Sequence, residues 1–548
     1  MFRMSLFLLS FLLGTALQAA ELISTNAAGT DSANDRSQIA NDETVPVSAD
    51  GRYVVFSSSA DNFGPTDTNM ANDLYLHDRD TDSTSLITAG TGGQGADAGT
   101  FTASISDDGR FVVFLSAASD ITAATDTNGD TDVFIYDRVS GSTTLISKTA
   151  GGAAGNAFSW SFSMTPDAAF ILFASDASDL DFGGTDANGT TDVYLYTRAT
   201  DTITLISRVG VSNTAGDGTS RLHLLDAISH DGRYIVYTTQ ATDIVADAGG
   251  FEDAILYDTT LGTSTRITES TGSGPANGDT GFAIISGDGS VVIVLSGATD
   301  LVAAADTTLE LDFFAYTRVS GLMRLVTVNA AGTAAATGGT NRRASRISDD
   351  DSVFVWDSGM TDLVVTDTNG VDDIFARDLV NGVTVLVSRN LAGTDSCNDD
   401  SDDPQLSASG RLVFYESDCT NNTADADANG DKNDSFMFDR ETNTTYLLSE
   451  SAAGNSTGDD FCEEPGISRN GLFTTIDCLA KDLDPNVADT NMQNDVYFVS
   501  IEDLIPGFNA IPDGSDEDDS SGGGGGAPAP WLVLGLALTG LLTRRFRD

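Results

Sequence analysis

Lysine and histidine are almost missing from this chain of 548 residues, which contains three of each. Arginine and lysine together number 27 against 82 aspartates and glutamates, so the formal net charge is −55. Such an acidic surface repels the phosphates of nucleic acids and the head groups of anionic lipids. Nucleic acid is therefore excluded as a partner, whereas cations, salty surroundings or basic partners suit this charge.

Proline and glutamate are also scarce, with 11 prolines and 12 glutamates, and the other 70 acidic residues are aspartates. Glycine is abundant, with 55 residues, and 40% of the chain is hydrophobic. A chain with this hydrophobic content can bury a large core and is not disordered throughout. Aspartate, glycine, serine and threonine are typical of turns and strands rather than helices, so the composition predicts an all-β protein.

A long apolar run occurs at each end of the chain. The first follows Arg3, covers residues 6–17, and is followed by Gln18, Ala19 and Ala20. A short basic start, an apolar stretch too short for a stable membrane span and a small-residue end predict a signal peptide at residues 1–20. The body of the protein is therefore expected to be exported from the cytoplasm.

The C-terminal run belongs to a tail of three parts. An acidic and Gly/Pro-rich linker is expected at residues 509–530, and an apolar segment with a basic end covers residues 531–548. The apolar part has about a dozen residues, short against the roughly 20 that span a bilayer. The tail resembles the GlyGly C-terminal sorting signals of Gram-negative bacteria, which implies removal by a rhomboid-like protease and delivery to the cell surface or medium. The alternative is a retained C-terminal membrane anchor.

The four cysteines, Cys397, Cys419, Cys462 and Cys478, all lie late in the chain. Oxidation is permitted outside the cytoplasm, and four cysteines allow three pairings. Two successive repeats, described next, each hold two cysteines that flank the same strand. This placement favours structural disulfides Cys397–Cys419 and Cys462–Cys478.

The strongest pattern in the chain is a repeated box. It reads VSADGRYVVFSSSAD from Val47 and recurs from Ile105, Met164, Ile228, Ile285, Ile347, Leu406 and Ile467. Its hydroxyl residue is Ser48, Ser106, Thr165, Ser229, Ser286, Ser348, Ser407 or Ser468, with spacings of 58, 59, 64, 57, 62, 59 and 61 residues. Together with runs such as NDLYLHDR from Asn72, SLIT from Ser85 and TFTASIS from Thr100, each box makes four strands per unit.

Four-stranded units of this length, repeated up to eight times, are typical of β-propeller blades, which must close into a ring to cover their faces. The N-terminal ELISTNAAG from Glu21 matches TLISKTAGG from Thr144, whereas the last unit stops at VYFVS without such a strand. We therefore expect the N-terminal strand to complete the last blade. The predicted fold is all-β, a single eight-bladed propeller of four-stranded blades over residues 21–508.

The box S-x-D-G-R, followed by an apolar strand and then D-V-Y-x-Y-D-R, resembles the TolB-like propeller repeat family. The resemblance covers the body of the chain and implies the propeller fold. The units are longer than those of TolB and their number differs. A TolB-type partnership with a peptidoglycan-associated lipoprotein is therefore not carried over to this chain.

Glycine in the box supplies the positive φ of a tight turn between strands. Arginines recur directly after this turn, at Arg52, Arg110, Arg233 and Arg411, and after the following strand, at Arg79, Arg138, Arg198, Arg318 and Arg440. Because they repeat at equivalent positions, we expect both sets to pair with the abundant aspartates rather than to build one active site.

An acidic loop of the form D-x-N follows the box in six units. Calcium takes six to eight oxygen ligands, which alternate side chains of such a loop can supply. The candidate ligands are Asp67, Asn69 and Asp73; Asp126, Asn128, Asp130 and Asp132; Asp186, Asn188 and Asp192; Asp367, Asn369 and Asp373; and Asp489, Asn491 and Asp495. The fourth and fifth units keep only the outer pairs Asp247/Asp253 and Asp306/Asp312. The alternative is that these residues only make Asx turns.

The seventh loop, DADANGDKND, is similar to the calcium hairpins of other propellers and to EF-hand-type loops. The similarity implies Asp425, Asp427 and Asn429 as calcium ligands, with Asp431 or Asn433 completing the shell.

No nucleophile elbow, zinc helix, phosphate loop or dinucleotide-binding glycine motif occurs in a suitable context. His230 takes the variable place of one box and is expected to be a surface turn residue. The sequence therefore predicts an exported, non-catalytic surface propeller that binds a protein or glycan or acts as a scaffold, with calcium as its expected cofactor. The alternative is a secreted hydrolase or lyase that uses carboxylates at the mouth of the central channel. Other expected partners are the export machinery, a rhomboid-like sorting protease, and the membrane through the C-terminal segment.

Overall fold

The computed structural model describes residues 20–40, 44–64, 67, 69, 71–184, 186–223, 226–245, 250–303, 310–339, 341–430, 432–505 and 508. The chain divides into two compact units, Met1–Ile511 and Pro512–Asp548, and the second lies wholly outside the described residues. The predicted signal peptide, except Ala20, and the predicted linker and sorting segment also lie outside them. In the described part of the chain, no helix has the length and apolar character needed to cross a membrane.

The described residues form eight antiparallel sheets of four strands each, which confirms the predicted eight-bladed propeller. Blades 1 to 4 are β2 (Ser37–Gln38), β3 (Tyr53–Ser58), β4 (Asp73–Asp78), β5 (Ser83–Leu86); β6 (Thr100–Ile105), β7 (Phe111–Ser116), β8 (Asp132–Asp137), β9 (Ser142–Leu145); β10 (Ser159–Met164), β11 (Phe170–Ser175), β12 (Asp192–Thr197), β13 (Thr202–Leu205); and β14 (Ser220–Arg221), β15 (Tyr234–Thr239), β16 (Asp253–Asp258), β17 (Thr263–Arg266).

Blades 5 to 7 are β18 (Thr280–Ile285), β19 (Val291–Ser296), β20 (Asp312–Thr317), β21 (Leu322–Leu325); β22 (Asn341–Ile347), β23 (Val353–Ser358), β24 (Asp373–Asp378), β25 (Val383–Leu386); and β26 (Ser401–Leu406), β27 (Leu412–Ser417), β28 (Asp434–Asp439), β29 (Thr444–Leu447). Blade 8 consists of β30 (Cys462–Ile467), β31 (Phe473–Cys478), β32 (Asp495–Ser500) and the N-terminal β1 (Glu21–Leu22). A short helix, α1 (Ile501–Leu504), follows β32.

The N-terminal strand closes the ring, as the sequence predicts. β1 pairs antiparallel with β32, with Glu21 opposite Phe498 and Leu22 opposite Tyr497. The hydroxyl of Ser24 donates a hydrogen bond of 2.5 Å to Asp495. The first and last parts of the propeller are thus held in one sheet.

The hydrophobic core lies between the blades rather than inside any one of them. Eight apolar clusters each draw side chains from two neighbouring blades. Second strands such as β7 and β19 are buried at every residue, because a blade covers each of their faces. Outer strands such as β5 alternate between exposed and half-buried residues. The continuous apolar runs and the alternating runs of the sequence reflect these two environments.

The first strands of successive blades contact one another, as β18, β22 and β26 do, and so line the axis of the ring. Because consecutive strands are antiparallel, their connections alternate between two ends of the propeller. We call the end with the box turns the turn face. The opposite end, with the acidic loops and the connections between blades, is the loop face.

The box turn is held by its own polar side chains. In blade 2 the Ser106 hydroxyl donates to Asp108 at 2.6 Å and accepts from the Phe111 amide at 2.9 Å. Gly109 takes the positive φ of +66° that the sequence predicts for this turn. The side chains of the box itself thus stabilise the turn.

The two sets of arginines behave differently. The set after the box turn pairs with aspartate, as expected: the pairs are Arg52–Asp78, Arg110–Asp137, Arg233–Asp258 and Arg411–Asp439, at 2.7 to 3.1 Å. For the second set the expectation of pairing with aspartate is wrong. Arg79 pairs with Glu21, while Arg138, Arg198, Arg318 and Arg440 donate to backbone carbonyl oxygens of Gly109, Ala168, Gly289 and Gly410.

Four arginines of the second set, Arg79, Arg138, Arg198 and Arg318, stack on aromatic rings of the preceding blade in the ring. The guanidinium of Arg138 lies 3.9 Å from the ring centre of Tyr53, which belongs to the preceding blade. Gly109 packs on the same ring, since a Cβ atom there would lie 2.3 Å from Tyr53. Tyr53 is therefore enclosed by an arginine and a glycine of the next blade, and cation–π attraction adds to its burial.

Both disulfides that the sequence favours are present, Cys397–Cys419 in blade 7 and Cys462–Cys478 in blade 8. Each disulfide joins the chain at the start of a blade's first strand to the chain at the end of its second strand. The Cα atoms are 5.8 Å apart in blade 7 and 4.1 Å apart in blade 8. They are structural cross-links, because all four cysteines are buried.

Replacing Gly109 with alanine should destabilise the propeller more than the same change at Gly141. Both glycines have positive φ, +66° and +67°, but a Cβ at Gly141 meets no atom within 4 Å. Backbone strain of about 1–2 kcal/mol is common to both variants, and overlap with Tyr53 adds about 1–3 kcal/mol to Gly109→Ala only. Urea unfolding of the two variants measures the difference. Equal destabilisation would show that Tyr53 does not need the glycine surface.

Candidate functional site

The acidic loops join the second and third strands of their blades on the loop face. Each loop contains an aspartate and, two residues later, an asparagine, which we call the loop aspartate and the loop asparagine. The third strand then begins with a further aspartate, which we call the strand aspartate. These three positions hold most of the calcium ligands that the sequence predicts.

The strand aspartate is bound in the same way in all eight blades. Its carboxylate accepts a hydrogen bond of 2.5 to 2.8 Å from a buried hydroxyl just after the fourth strand. The pairs are Asp73–Thr88, Asp132–Ser147, Asp192–Ser207, Asp253–Thr268, Asp312–Thr327, Asp373–Ser388, Asp434–Ser449 and Asp495–Ser24. The oxygen of the same hydroxyl accepts a hydrogen bond from the backbone amide of the residue that follows the strand aspartate. In blade 2, for example, Ser147 accepts from Val133 at 3.0 Å. The third and fourth strands are thus joined through buried side chains.

The loop residues make the Asx turns that the sequence allows. In blade 2 the Asp126 carboxylate accepts from the Asn128 amide at 3.1 Å, and the Asn128 side-chain oxygen accepts from the Asp130 amide at 2.7 Å. Turn formation therefore explains part of the D-x-N pattern without a ligand.

The loop asparagine also ties the loop to its surroundings. Its side-chain nitrogen donates to a backbone carbonyl of the connection between blades, for example from Asn188 to Gly216 and from Asn491 to Ala33, at 2.7 and 2.8 Å. In blades 1, 3 and 8 the same nitrogen also donates to the strand aspartate, at 2.7 to 3.1 Å. The asparagine thus brings two carboxylates and a carbonyl group into one small region.

These contacts leave several carboxylate oxygens without a hydrogen-bond partner. The residues concerned are at least nine-tenths buried, and the oxygens are Asp67 Oδ2, Asp132 Oδ2, Asp186 Oδ1, Asp367 Oδ1 and Asp373 Oδ2. In blade 1 a Cβ atom on Gly95 would lie 2.5 Å from Asp73 Oδ2 and 2.6 Å from Asp67 Oδ1. The loop and strand carboxylates therefore converge on one point. A buried oxygen without a donor is costly, which is a reason to look for a cation or a proton there.

Burial raises the pKa of every strand aspartate in the six D-x-N blades, and the charge of the loop aspartate raises it further. The pKa is about 6 for Asp73, about 7 for Asp132, Asp192 and Asp434, and about 8 for Asp373 and Asp495. Burial also raises the pKa of the loop residue Asp367, to about 6. In the absence of a cation, burial and the charge of the loop aspartate therefore favour the neutral form of the strand aspartate.

The seventh loop differs from its EF-hand-like expectation. The Asp427 carboxylate accepts the amides of Asn429 and Gly430, at 3.1 and 2.8 Å. Asn433 donates to Glu416 on the second strand, at 3.1 Å, so its side chain is engaged outside the loop. Asp431 lies outside the described residues.

The buried carboxylate of this loop is Asp434, which sequence reasoning missed. It takes the place of the strand aspartate, but it follows Asp427 by seven residues, whereas the spacing is six in the other five loops. Alignment on NDSFMFDR with NDLYLHDR would have identified it. Asp425 lies half-buried at the start of the loop.

The remaining predicted ligands fall into two groups. Asp130 is exposed and does not join the pair of the half-buried Asp126 and the buried Asp132. In blades 4 and 5 the strand aspartates Asp253 and Asp312 are buried, while Asp247 and Asp306 lie outside the described residues. No group of three or more histidine, cysteine, aspartate or glutamate side chains among the residues described could hold a metal ion. Each loop thus offers two carboxylates plus amide and carbonyl oxygens.

A second cluster of charged residues closes the turn face of the channel. His230 Nε2 lies 3.0 Å from Arg469 Nη1 and 3.4 Å from Asp349 Oδ1, and Arg469 Nε lies 3.6 Å from Asp107. His230 is therefore not the surface turn residue that the sequence suggested. Its backbone does belong to the box turn, but its side chain meets residues of blades 6 and 8.

The four residues of this cluster come from alternate blades. The position after the box hydroxyl is Ala49, Asp107, Pro166, His230, Gly287, Asp349, Ala408 and Arg469 in blades 1 to 8. The small or uncharged positions leave room for the charged ones, since a Cβ on Gly287 would lie 2.6 Å from the His230 ring. The alternation is visible in the sequence, but its meaning depends on ring closure, which brings the four side chains together.

Beside the cluster is a cavity of about 40 Å³ lined by Asp226, Arg346, Asp349 and Arg469, among others. Burial raises the pKa of Asp226. Burial also acts to raise the pKa of Asp349, but the hydrogen bond from His230 and the charge of Arg469 outweigh it and leave that pKa below its usual value. The channel mouth therefore combines carboxyl groups in different environments.

No family model and no curated protein match this chain. Among solved structures it is similar to an oligogalacturonate lyase from Vibrio parahaemolyticus, with 12% identity, a TM-score of 0.41, and coverage of 70% of this chain and 88% of that chain. It is also similar to TolB from Acinetobacter baumannii, with 15% identity, a TM-score of 0.31, and coverage of 72% and 80%. The β-propeller domain of the Trilobed protease from Pyrococcus furiosus has 10% identity, a TM-score of 0.40, and coverage of 73% and 93%. These likenesses concern the propeller fold and assign no substrate or partner to this chain.

In metal-free buffer the strand aspartates should make the protein less stable as pH rises from about 4 to about 8. Their folded pKa values, such as about 8 for Asp373, lie above the ordinary aspartate pKa of 3.8, so their contribution to stability is complete below pH 4 and is lost as pH rises through the folded pKa. Asp373→Asn stays neutral and should flatten this slope, making the variant more stable than wild type at pH 8 by about 1 kcal/mol or more.

The measurement is the free energy of unfolding against pH in chelator. Asp130→Asn, which changes an exposed residue of an equivalent loop, should keep the wild-type slope. Identical slopes for wild type and Asp373→Asn would contradict the assignment of a raised pKa to Asp373.

Proposed function

We propose that the protein is an exported, non-catalytic β-propeller that acts as a binding or scaffold module, and that its acidic loops are stabilised by calcium. The observation that carries the proposal is the approach of a loop carboxylate to a buried strand carboxylate in the D-x-N loops, where blades 1, 2, 3 and 6 have buried oxygens without a hydrogen-bond partner. The rigid ring supports a binding role, because it presents eight sets of loops on one face. Fold alone assigns no activity, so the proposal rests on these side chains.

Calcium fits the donor set of the loops. It prefers carboxylate, amide and carbonyl oxygens and accepts irregular arrangements of six to eight ligands. The loop aspartate, the strand aspartate and the side-chain oxygen of the loop asparagine would hold the ion in blades 1, 2, 3, 6 and 8. In blade 7 Asp427, Asn429 and Asp434 have the same roles. A bound cation would also offset the repulsion between carboxylates in a chain with a net charge of −55.

An exported location agrees with the two disulfides, which persist in oxidising surroundings. The apolar run after Arg3 supports entry into the export machinery, and the C-terminal tail supports handling by a rhomboid-like sorting protease in a Gram-negative bacterium. The proposed destination is the cell surface or the medium. Retention by the C-terminal segment in the membrane is the alternative.

Calcium should raise the thermal stability of the purified protein relative to the same protein in chelator. Each loop that binds calcium adds about 2.7 kcal/mol when the free ion is at 100 times its Kd. In the double variant Asp126→Asn/Asp132→Asn, the calcium effect should be smaller and one ion fewer should be bound per chain. Melting curves with metal analysis by mass spectrometry provide both readouts.

The control is Asp130→Asn, which lies in the same loop but leaves the buried pair intact. It should match wild type in both calcium stability and ion count. Identical melting curves in calcium and chelator, with no ion bound, would reduce the loops to hydrogen-bonded turns and contradict the calcium proposal.

One observation favours a second candidate, a secreted hydrolase or lyase. Asp107, Asp226 and Asp349 gather at the channel mouth with His230 and Arg469, and carboxyl groups with pKa values shifted apart are typical of acid–base sites. The adjacent cavity of about 40 Å³ is small for a sugar or a peptide side chain, however, so binding remains the leading proposal.

A turnover assay on pooled polysaccharides and peptides separates the two candidates. The leading proposal predicts no release of reducing ends or free amines by wild type. Turnover that Asp349→Asn abolishes, while Asp130→Asn retains it and both variants keep the wild-type melting curve, would replace the binding proposal with the enzymatic one.

A further inference from the structure

Long basic side chains fill the outer ends of several junctions between blades. The residue three positions after the outer strand is Lys148, Arg208 or Arg389 at junctions 2/3, 3/4 and 6/7. Lys148 pairs with Asp201 of the next blade at 2.5 Å, and Arg208 donates to the Tyr257 hydroxyl at 2.6 Å. The guanidinium of Arg389 lies 4.7 Å from the Phe438 ring centre. At these junctions a cation from one blade covers a polar or aromatic group of the next.

The junction between blades 5 and 6 lacks this filling. The two equivalent positions are Val328, whose side chain is short and apolar, and Arg377, which replaces the aromatic residue of the third strand. A groove of about 380 Å³ lies here, lined among others by Val328, Ala330, Leu363, Val365, Arg377 and Val383. A volume of this size is within the range of ligand sites in proteins. We call it the rim groove.

The two arginines at the rim groove form no ion pair with a carboxylate of the described residues. Arg377 donates to Thr384 at 2.7 Å, and its neighbour Arg324 donates to the Leu379 carbonyl at 3.2 Å. Neither arginine has a carboxylate within 4 Å among the described residues, although the chain has 82 acidic residues. The adjacent Asp378 carboxylate is directed to the turn, where it accepts the amides of Val380 and Asn381.

Burial and the nearby charge of Arg324 lower the pKa of Arg377. This is the effect expected of a cation held away from water beside another cation. An anionic group in the rim groove would offset the positive charges of Arg377 and Arg324. The groove is therefore electrostatically complementary to a carboxylate.

The surface around the rim groove is unusually apolar. Val365 and Val383 are 85% and 54% exposed. Val385, two residues along the same outer strand, is also exposed. The corresponding outer-strand positions of blades 1 to 4 are serine or threonine: Ser83 and Ser85, Ser142 and Thr144, Thr202 and Thr204, and Thr263 and Thr265. Exposed valines at these positions are thus a departure from the repeat, and such patches mark interaction surfaces.

We propose that the rim groove docks a segment of a partner polypeptide that presents a carboxylate side chain flanked by aliphatic side chains. The carboxylate binds Arg377, with Arg324 beside it, and the aliphatic groups pack on Val328, Val365 and Val383. A polypeptide fits better than a small organic acid because the apolar surface continues along the outer strand beyond the groove. A symmetric second copy fits poorly, since it would bring the arginines of two copies together. This inference rests on the proposed binding role but not on the calcium loops.

The test uses a fluorescein-labelled peptide, Gly-Leu-Glu-Val-Leu-Glu-Gly, and the same peptide with lysine for glutamate. Anisotropy titration of the full chain should show saturable binding of the glutamate peptide with a Kd below about 1 mM, and none of the lysine peptide. Arg377→Gln should weaken binding about tenfold or more. Arg389→Gln, which changes the charge equally at junction 6/7, should leave it unchanged.

A second variant fills the rim groove with the arginine–tyrosine pair that occurs at junction 3/4. Val328→Arg/Arg377→Tyr places at junction 5/6 the residue types of Arg208 and Tyr257, so it should keep the wild-type melting curve and lose peptide binding. Peptide binding that survives in this variant and in Arg377→Gln would overturn the groove assignment while leaving the binding role intact. No binding of the glutamate peptide would overturn the inference without affecting the calcium melting test.

Two further outcomes would assign the groove to another occupant. Binding of decanoate, lost in the filled variant, without binding of the peptide would identify a small-acid site. Concentration-dependent self-association in sedimentation, abolished by Val383→Glu, would identify a second copy as the occupant. Either result would overturn the polypeptide proposal.

Discussion

The buried carboxylate that begins each third strand is the constraint on which this propeller depends. In every blade its partner is a hydroxyl that follows the fourth strand, and in blade 8 that hydroxyl is Ser24, 471 residues from Asp495. A buried carboxylate without donors is costly, so strand four must lie where its hydroxyl can donate. The same hydrogen bond therefore sets the edge of each blade and closes the ring.

This arrangement also creates the chemistry of the loop face. The hydroxyl and the loop asparagine meet only part of the hydrogen-bonding capacity of the strand aspartate's carboxylate. The loop aspartate brings a second negative charge close to the same carboxylate. A proton or a cation there would relieve the repulsion between the two carboxylates, which is strong in a poorly solvated site. Stability and the proposed calcium binding thus come from one set of side chains.

Residues that repeat and residues that depart from the repeat have different roles. The repeated ones build the ring: the box turn, the arginine that stacks on the preceding blade, and the strand aspartate. The departures occur where the ring makes specific contacts. Asp107, His230, Asp349 and Arg469 occupy alternate positions at the turn face, and Val328 and Arg377 leave the rim groove open. In a structure of eight similar blades, specificity can come only from such differences.

The number of blades, their four strands, the closure by residues near Glu21 and the favoured disulfide pairs could all be predicted from the amino-acid sequence, because they follow from local periodicity and from spacing along the chain. Most members of the carboxylate pairs could also be predicted, but not Asp434, which an extra loop residue shifts out of register. Only the tertiary structure showed that Arg138 stacks on Tyr53 and that His230 meets Arg469. These contacts join residues of different blades, and the pattern within one repeat does not specify which side chains the closed ring places against it.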